Sequence, residues 1–106
     1  VLMYARHVSL NLKSNQREEL TQMFEREILP LLQKQNAFTD EITFVSPDNK
    51  QVIAISLWER KENADLYNRQ TYPQVLKSLA RVVEGTPEVH AYEVGNSTFH
   101  KIAATI

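Results

Sequence analysis

The order strand, helix, strand occurs twice in this chain, and that doubling constrains the fold more than any single residue does. YARHVSLNLK, NQREELTQMFEREILPLLQKQ and AFTDEITFV make the first copy; QVIAISLWER, KENADLYNRQTYPQVLKSLARVVEG and TPEVHAYEV make the second, and SPDNK joins them. In the first strand Val8, Leu10 and Leu12 alternate with His7, Ser9 and Asn11, the period of a sheet resting one face on an apolar core. Asn15 and Glu18 predict a capping box ahead of a helix whose stripe is Leu20, Met23, Phe24, Ile28, Leu31 and Leu32. Pro30 interrupts that helix by removing a backbone hydrogen bond and crowding the carbonyl of Arg26, which costs about 3 kcal/mol in an unadapted helix, so a kink or restart is expected.

Residues Phe38 to Val45 and Gln51 to Arg60 flank Pro47, Asp48 and Asn49, a turn composition that predicts an antiparallel hairpin. In the second of these strands Ile53, Ile55 and Leu57 oppose Val52, Ala54, Ser56 and Trp58. Both faces are largely apolar, so both are expected to be covered, one by the helices and the other by a second copy of the same sheet. After Trp58 a short helix carries Ala64 and Tyr67, breaks at Thr71 and Tyr72, and restarts at Pro73 with Val75, Leu76, Leu79, Ala80 and Val83 on its apolar side. Gly85 and Pro87 are expected to stop this helix before a strand from Val89 to Val94, with Asn96 to Ile106 as an edge strand or an arm to a partner. Right-handed crossovers interleave the halves into one α+β domain over residues 1–106, a ferredoxin-like βαββαβ subunit with an antiparallel sheet and its helices on one face.

At 106 residues such a domain buries about two-thirds of the surface its unfolded chain exposes, and dimerisation adds burial. A formal net charge of −1 with interspersed acids and bases lacks the basic stripe that nucleic acid or an anionic membrane requires. No apolar run reaches the roughly 18 residues of a membrane span, and VLMYARHV lacks the apolar core of a signal peptide, so a cytoplasmic protein is expected. The chain contains no cysteine, which removes disulfides, thiolate nucleophiles and iron–sulfur ligation together.

The segments ILPLLQKQNAF, ISLWERKENADLY and VLKSLARVVEGTPEV, with the closing strand, resemble the antibiotic biosynthesis monooxygenase type of dimeric α+β barrel over nearly the whole chain. The resemblance implies a homodimer whose sheets pack face to face, and a pocket between each sheet and its own helices. Members of that family include cofactor-free oxygenases of phenolic or quinol compounds, haem-degrading enzymes and proteins with no known activity. The haem-degrading branch uses an asparagine on the first strand, with a tryptophan and a ligating histidine on the second helix; the corresponding positions here read Val8, Tyr67 and Lys77. A valine forms no hydrogen bond to an iron-bound ligand and a cationic lysine is a poor iron ligand, so haem degradation is disfavoured and no cofactor is expected.

Cofactor-free oxygenation needs an apolar cavity, a base that makes the substrate anion, and polar donors that hold it. Tyr67 and Tyr72, on the broken second helix, are candidate catalytic hydroxyls, with solvated packing at the pocket rim as the competing role. His90, on a strand face with Tyr92 and Val94, is the candidate base against a structural histidine. Trp58, Phe24, Phe44 and Val8 are candidates to line the substrate pocket, although Trp58 also fits a packing anchor between strand and helix. His7 points away from the helices and is expected at the dimer interface, His100 in the terminal segment is expected to be exposed, and Arg6 is a candidate anion binder. Arg60 and Arg69 read as solvated ion-pair partners, and Glu18, Glu19, Glu25, Glu27 and Glu62 as solvated helix faces. Two glycines cannot build a phosphate loop, three histidines on three segments give little support for a metal site, and no serine sits in a nucleophile elbow. The favoured reading is a cofactor-independent monooxygenase of a small aromatic compound; the alternatives are a non-catalytic small-ligand binder and a structural dimer.

Overall fold

The computed structural model describes residues 3–99 of the chain. Strand β1 (Tyr4–Leu12) is followed by α1 (Arg17–Met23), a π-helical turn (Phe24–Ile28) and α2 (Leu29–Gln33); β2 (Phe38–Val45) and β3 (Gln51–Trp58) follow, then α3 (Lys61–Gln70), α4 (Tyr72–Leu79) and β4 (Val83–Glu93). The sheet runs β2-β3-β1-β4 with every neighbouring pair antiparallel. This is the ferredoxin-like arrangement expected from two interleaved βαβ halves.

One face of the sheet holds Leu10, Leu12, Val52 and Trp58 against Leu20, Met23, Ile28, Leu32, Val75 and Leu79 of the helices, and Val8 is buried on the same face. Full burial of each such side chain contributes about 1.5–3 kcal/mol, which is why the strand alternation and the helical stripe select the same face. Pro30 acts as expected: it stands in the first turn of α2, immediately after the π-helical turn, so the backbone bond it cannot make falls where the helix is already rebuilt. The hairpin closes through Asn49 N–H to the Ser46 carbonyl at 2.9 Å, while the Asp48 carboxylate accepts from the Ser46 hydroxyl at 2.6 Å.

Two local expectations are corrected. Asn15 has φ of 61°, and the residue preceding α1 is Gln16 with no side-chain cap; a left-handed residue cannot take the extended geometry a capping side chain needs, so the Asn15–Glu18 box does not form. Gly85 and Pro87 do not stop a helix. That helix ends at Leu79, β4 begins at Val83, and Gly85, at φ of 70°, and Pro87 lie inside β4, where the register with β1 slips between Ser9 and Asn11. An edge strand tolerates a proline and a left-handed glycine at a bulge because the lost pairing faces outward. The same correction moves Val83 from the helix to the strand.

The sheet's other face carries Ile42, Phe44, Ile53, Ile55, Leu57 and Tyr92, half-buried or exposed, with none of the described helices over them. Phe99 is also exposed. His100 and the remainder of the expected terminal arm lie outside the described residues.

Candidate functional site

Across the helix-facing side of the sheet, one row breaks the apolar pattern. Glu41 of β2 pairs in register with Ser56 of β3, and Ser56 pairs with Arg6 of β1. All three point toward the helices and line one cavity. Neighbouring strands lie about 4.8 Å apart, so an acid and a cation stand two strand spacings, roughly 10 Å, from each other with a hydroxyl between them.

Helices α3 and α4 cover this row with two tyrosines. The Arg6 guanidinium carbon lies 4.9 Å from the Tyr67 ring centroid and 4.5 Å from that of Tyr72, distances at which the ring faces stabilise a cation. Arg6 is only 5% exposed, and its Nη2 donates to Asn68 Oδ1 at 2.9 Å. Burial lowers its pKa, with the two tyrosines opposing that shift; guanidinium nonetheless stays charged. The break at Thr71, where α4 restarts with a proline in its first turn, is what brings both tyrosine rings over one arginine.

Tyr67 is 2% exposed and its phenol is pushed up to about 12, chiefly by burial, with Arg6 opposing. Tyr72 is 7% exposed, its pKa is also raised by burial against the pull of Arg6, and its hydroxyl is buried with no hydrogen-bond partner among the described residues. Both phenols are therefore proton donors at neutral pH. Glu41 accepts the Thr43 hydroxyl at 2.7 Å, and burial raises its carboxyl above the ordinary range despite that bond. It is the cavity-lining carboxylate, and its raised pKa moves it toward the range useful to a general base.

Val8 and Phe24 line the cavity with Leu10, Ile28, Ala54 and Val75. Trp58 stands behind it: fully buried, it donates from Nε1 to Ser56 Oγ at 2.9 Å and stacks between Phe38 and Tyr67 at ring distances of 5.5 and 5.3 Å. Phe44 is 51% exposed on the opposite face of the sheet. His90 lies there too, cross-strand from His7, and both rings approach Tyr92. The structure thus brings together Tyr67, Tyr72, Val8 and Phe24, and leaves Phe44 and His90 outside their cavity. Glu41, Ser56 and Asn68 were not singled out from the sequence; the inward position of Glu41 follows from a register slip between Phe38 and Asp40 that strand alternation does not show.

The cavity is tight: the centre of a water-sized sphere sweeps about 30 Å³, room for one or two waters. A second, larger cleft, about 270 Å³, lies between α3 and the β4 edge and is lined by Tyr4, Lys61, Asp65, Asn68 and Glu93. Arg6 lines both spaces. Among the described residues no cluster of histidine, aspartate and glutamate side chains is placed to hold a metal ion, and no helix is long and apolar enough to cross a membrane.

Neither a family model nor a curated protein matches the sequence. Solved structures match the fold. The monooxygenase from the ActVA-Orf6 gene of Streptomyces coelicolor, determined with nanaomycin D, aligns with a TM-score of 0.76 at 11% identity, covering 92% of each chain. SnoaB, a cofactor-independent oxygenase from Streptomyces nogalater, solved as its N63A mutant, aligns at 0.75 and 14% identity over 92% of this chain and 97% of its own. A Nitrosomonas europaea protein of unknown function aligns at 0.73 and 16% identity over 92% and 94%. The chain has the fold of the antibiotic biosynthesis monooxygenases, and that fold also serves proteins whose function is unknown.

Proposed function

We propose that the chain is a cofactor-independent monooxygenase of the antibiotic biosynthesis type, acting on a small phenol- or quinol-like aromatic in the cavity between sheet and helices. The observation that carries this reading is the Glu41, Ser56, Arg6 row beneath Tyr67 and Tyr72. The shared fold with two oxygenases supports it. Glu41 accepts the substrate's acidic proton, while Arg6 and the tyrosine hydroxyls hold the oxyanion that results. The electron-rich ring carbon then forms a bond to O2, and loss of water from the hydroperoxide leaves a carbonyl. Substrate plus O2 gives a product with one more oxygen and two fewer hydrogens, plus water, so the substrate supplies all four electrons.

Because the cavity holds only water-sized contents, an aromatic enters by displacing its walls, and the breaks at the π-helical turn and at Thr71 are the places where those walls yield. The proposal also places a second copy of the chain over the open face through Ile42, Phe44, Ile53, Ile55 and Leu57. Phe44→Lys is then expected to give a folded monomer in sedimentation. Oxygen uptake with a panel of quinols and hydroxyanthrones, chelator present, tests the chemistry: uptake that depends on the protein and falls at least tenfold in Glu41→Gln supports it. Uptake unaffected by Glu41→Gln removes the named base. Ligand binding without uptake favours the second reading, a non-catalytic binder that uses the same cavity.

A further inference from the structure

Arg6 is the feature that packing does not explain. A guanidinium this deeply buried is ordinarily paired with a carboxylate, yet none of the ion pairs among the described residues involves it. Its hydrogen bond runs to a neutral amide, Asn68. The two aromatic faces offset part of the desolvation and leave most of its donor edge free for a ligand. The Tyr72 hydroxyl, on another residue lining this cavity, is buried with no partner among the described residues. A cation stacked on the Tyr72 ring, 4.5 Å from its centroid, and the hydroxyl of that same ring are both donors to one oxyanion.

The position of Arg6 adds direction. It forms part of the wall of the inner cavity and part of the floor of the 270 Å³ cleft beside β4, and the Arg6–Asn68 bond spans the boundary. We propose that Arg6 is the anchor for an aromatic monoanion that enters through the cleft between α3 and β4: its carboxylate or phenolate replaces Asn68 as the partner of Arg6, and its ring passes under Tyr67 and Tyr72. Carboxylate and phenolate share the chemistry that Arg6 reads, a planar oxyanion conjugated to a ring. This names the substrate class for the site described above and so rests on that site being the ligand pocket, but it requires no turnover.

The chain's single tryptophan, Trp58, stacks on Tyr67 and reports binding by its fluorescence. Three probes separate the cases. 2-Naphthoate is an anion at pH 7, 2-naphthamide is its neutral analogue, and 2-naphthol becomes an anion only in alkali. Naphthoate is expected to bind at least tenfold more tightly than naphthamide, as the gain from a charge-assisted hydrogen bond requires. Tightening of naphthol as pH rises through its own ionisation would show that phenolate serves as well, whereas constant naphthol affinity would narrow the ligand to carboxylates. Arg6→Met keeps side-chain volume and removes the charge. It is expected to fold, with an unchanged or raised melting temperature, and to lose the preference for naphthoate.

Asn68→Asp supplies an internal carboxylate to Arg6 and is expected to raise the melting temperature while excluding naphthoate by about tenfold or more. This variant keeps the proposal testable if Arg6→Met fails to fold. Equal affinity for naphthoate and naphthamide overturns the proposal, as does unchanged naphthoate binding in folded Arg6→Met or in Asn68→Asp. An absence of oxygen uptake in a protein that passes these tests removes the oxygenase reading alone.

Discussion

Replacing Tyr72 with phenylalanine is expected to make the protein more stable, which is unusual for a buried tyrosine in a cavity wall. The ring is 7% exposed and packs within the main core, and phenylalanine preserves that packing. The hydroxyl alone is lost, and it has no partner among the described residues. A buried polar group left unsatisfied costs about 1–3 kcal/mol. One or two waters fit in the adjoining cavity and recover part of that cost, so the net gain from Tyr72→Phe is about 1 kcal/mol. For a 106-residue chain that corresponds to about 4 °C in melting temperature, or about 0.5 M in urea midpoint. Urea titration followed by far-UV circular dichroism reads the change directly. A midpoint that falls would mean that the hydroxyl already has a well-ordered partner, and the argument that it awaits a ligand would go with it. If the hydroxyl donates to a bound oxyanion, the same variant binds naphthoate more weakly, so stability and affinity move in opposite directions.

Trp58→Phe loses the Nε1 bond to Ser56 and part of a fully buried ring system, and is expected to cost about 2 kcal/mol in urea unfolding. Gly85→Ala should cost about 1 kcal/mol because φ is 70° there, although a Cβ would meet nothing within 4 Å; Gly95→Ala, which carries no such φ, serves as the neutral control. Glu41 has its pKa raised by burial, so the folded state binds its proton more tightly than the unfolded one, and its contribution to stability declines as pH rises from about 4.3 through the raised value. Glu41→Gln should remove that decline and be relatively more stable at neutral pH than at pH 4; an identical pH profile for both proteins would place the Glu41 carboxyl in an ordinary solvated setting.

The alternation in β1, the apolar stripe of the first helix, the restart at Pro30 and the hairpin at Pro47 were legible because each depends on a local period or a local backbone restriction. The face of Phe44 was not, and a single residue explains why. Phe38 and Phe44 are an even number of positions apart, so unbroken alternation puts both on one face. The pairing of β2 with β3 slips between Phe38 and Asp40, however, and after that slip the parity reverses: Phe38 packs on Trp58, while Phe44 faces outward and Glu41 faces the helices. The same slip hid the acid of the polar row and gave its place to an aromatic. Gly85 and Pro87 misled for a related reason, since a glycine and a proline after an apolar run mark a helix end and an edge-strand bulge equally well.

The helix-facing row is also where the chain departs from what stability alone would select. Leucine or valine at 6, 41 and 56 would satisfy the same strand pattern, and a buried charge is commonly improved upon by a well-packed apolar side chain. Instead this one row holds a cation paired to an amide, an acid raised by burial and a serine occupied by Trp58, with a phenol overhead that has no partner among the described residues. A domain whose work lay wholly in its open sheet face would have no use for that concentration of cost under its helices. Breaches of local rules that cluster in one cavity are what the proposed ligand site would explain: Arg6 is held by an amide rather than a carboxylate, and the Tyr72 hydroxyl has no partner among the described residues.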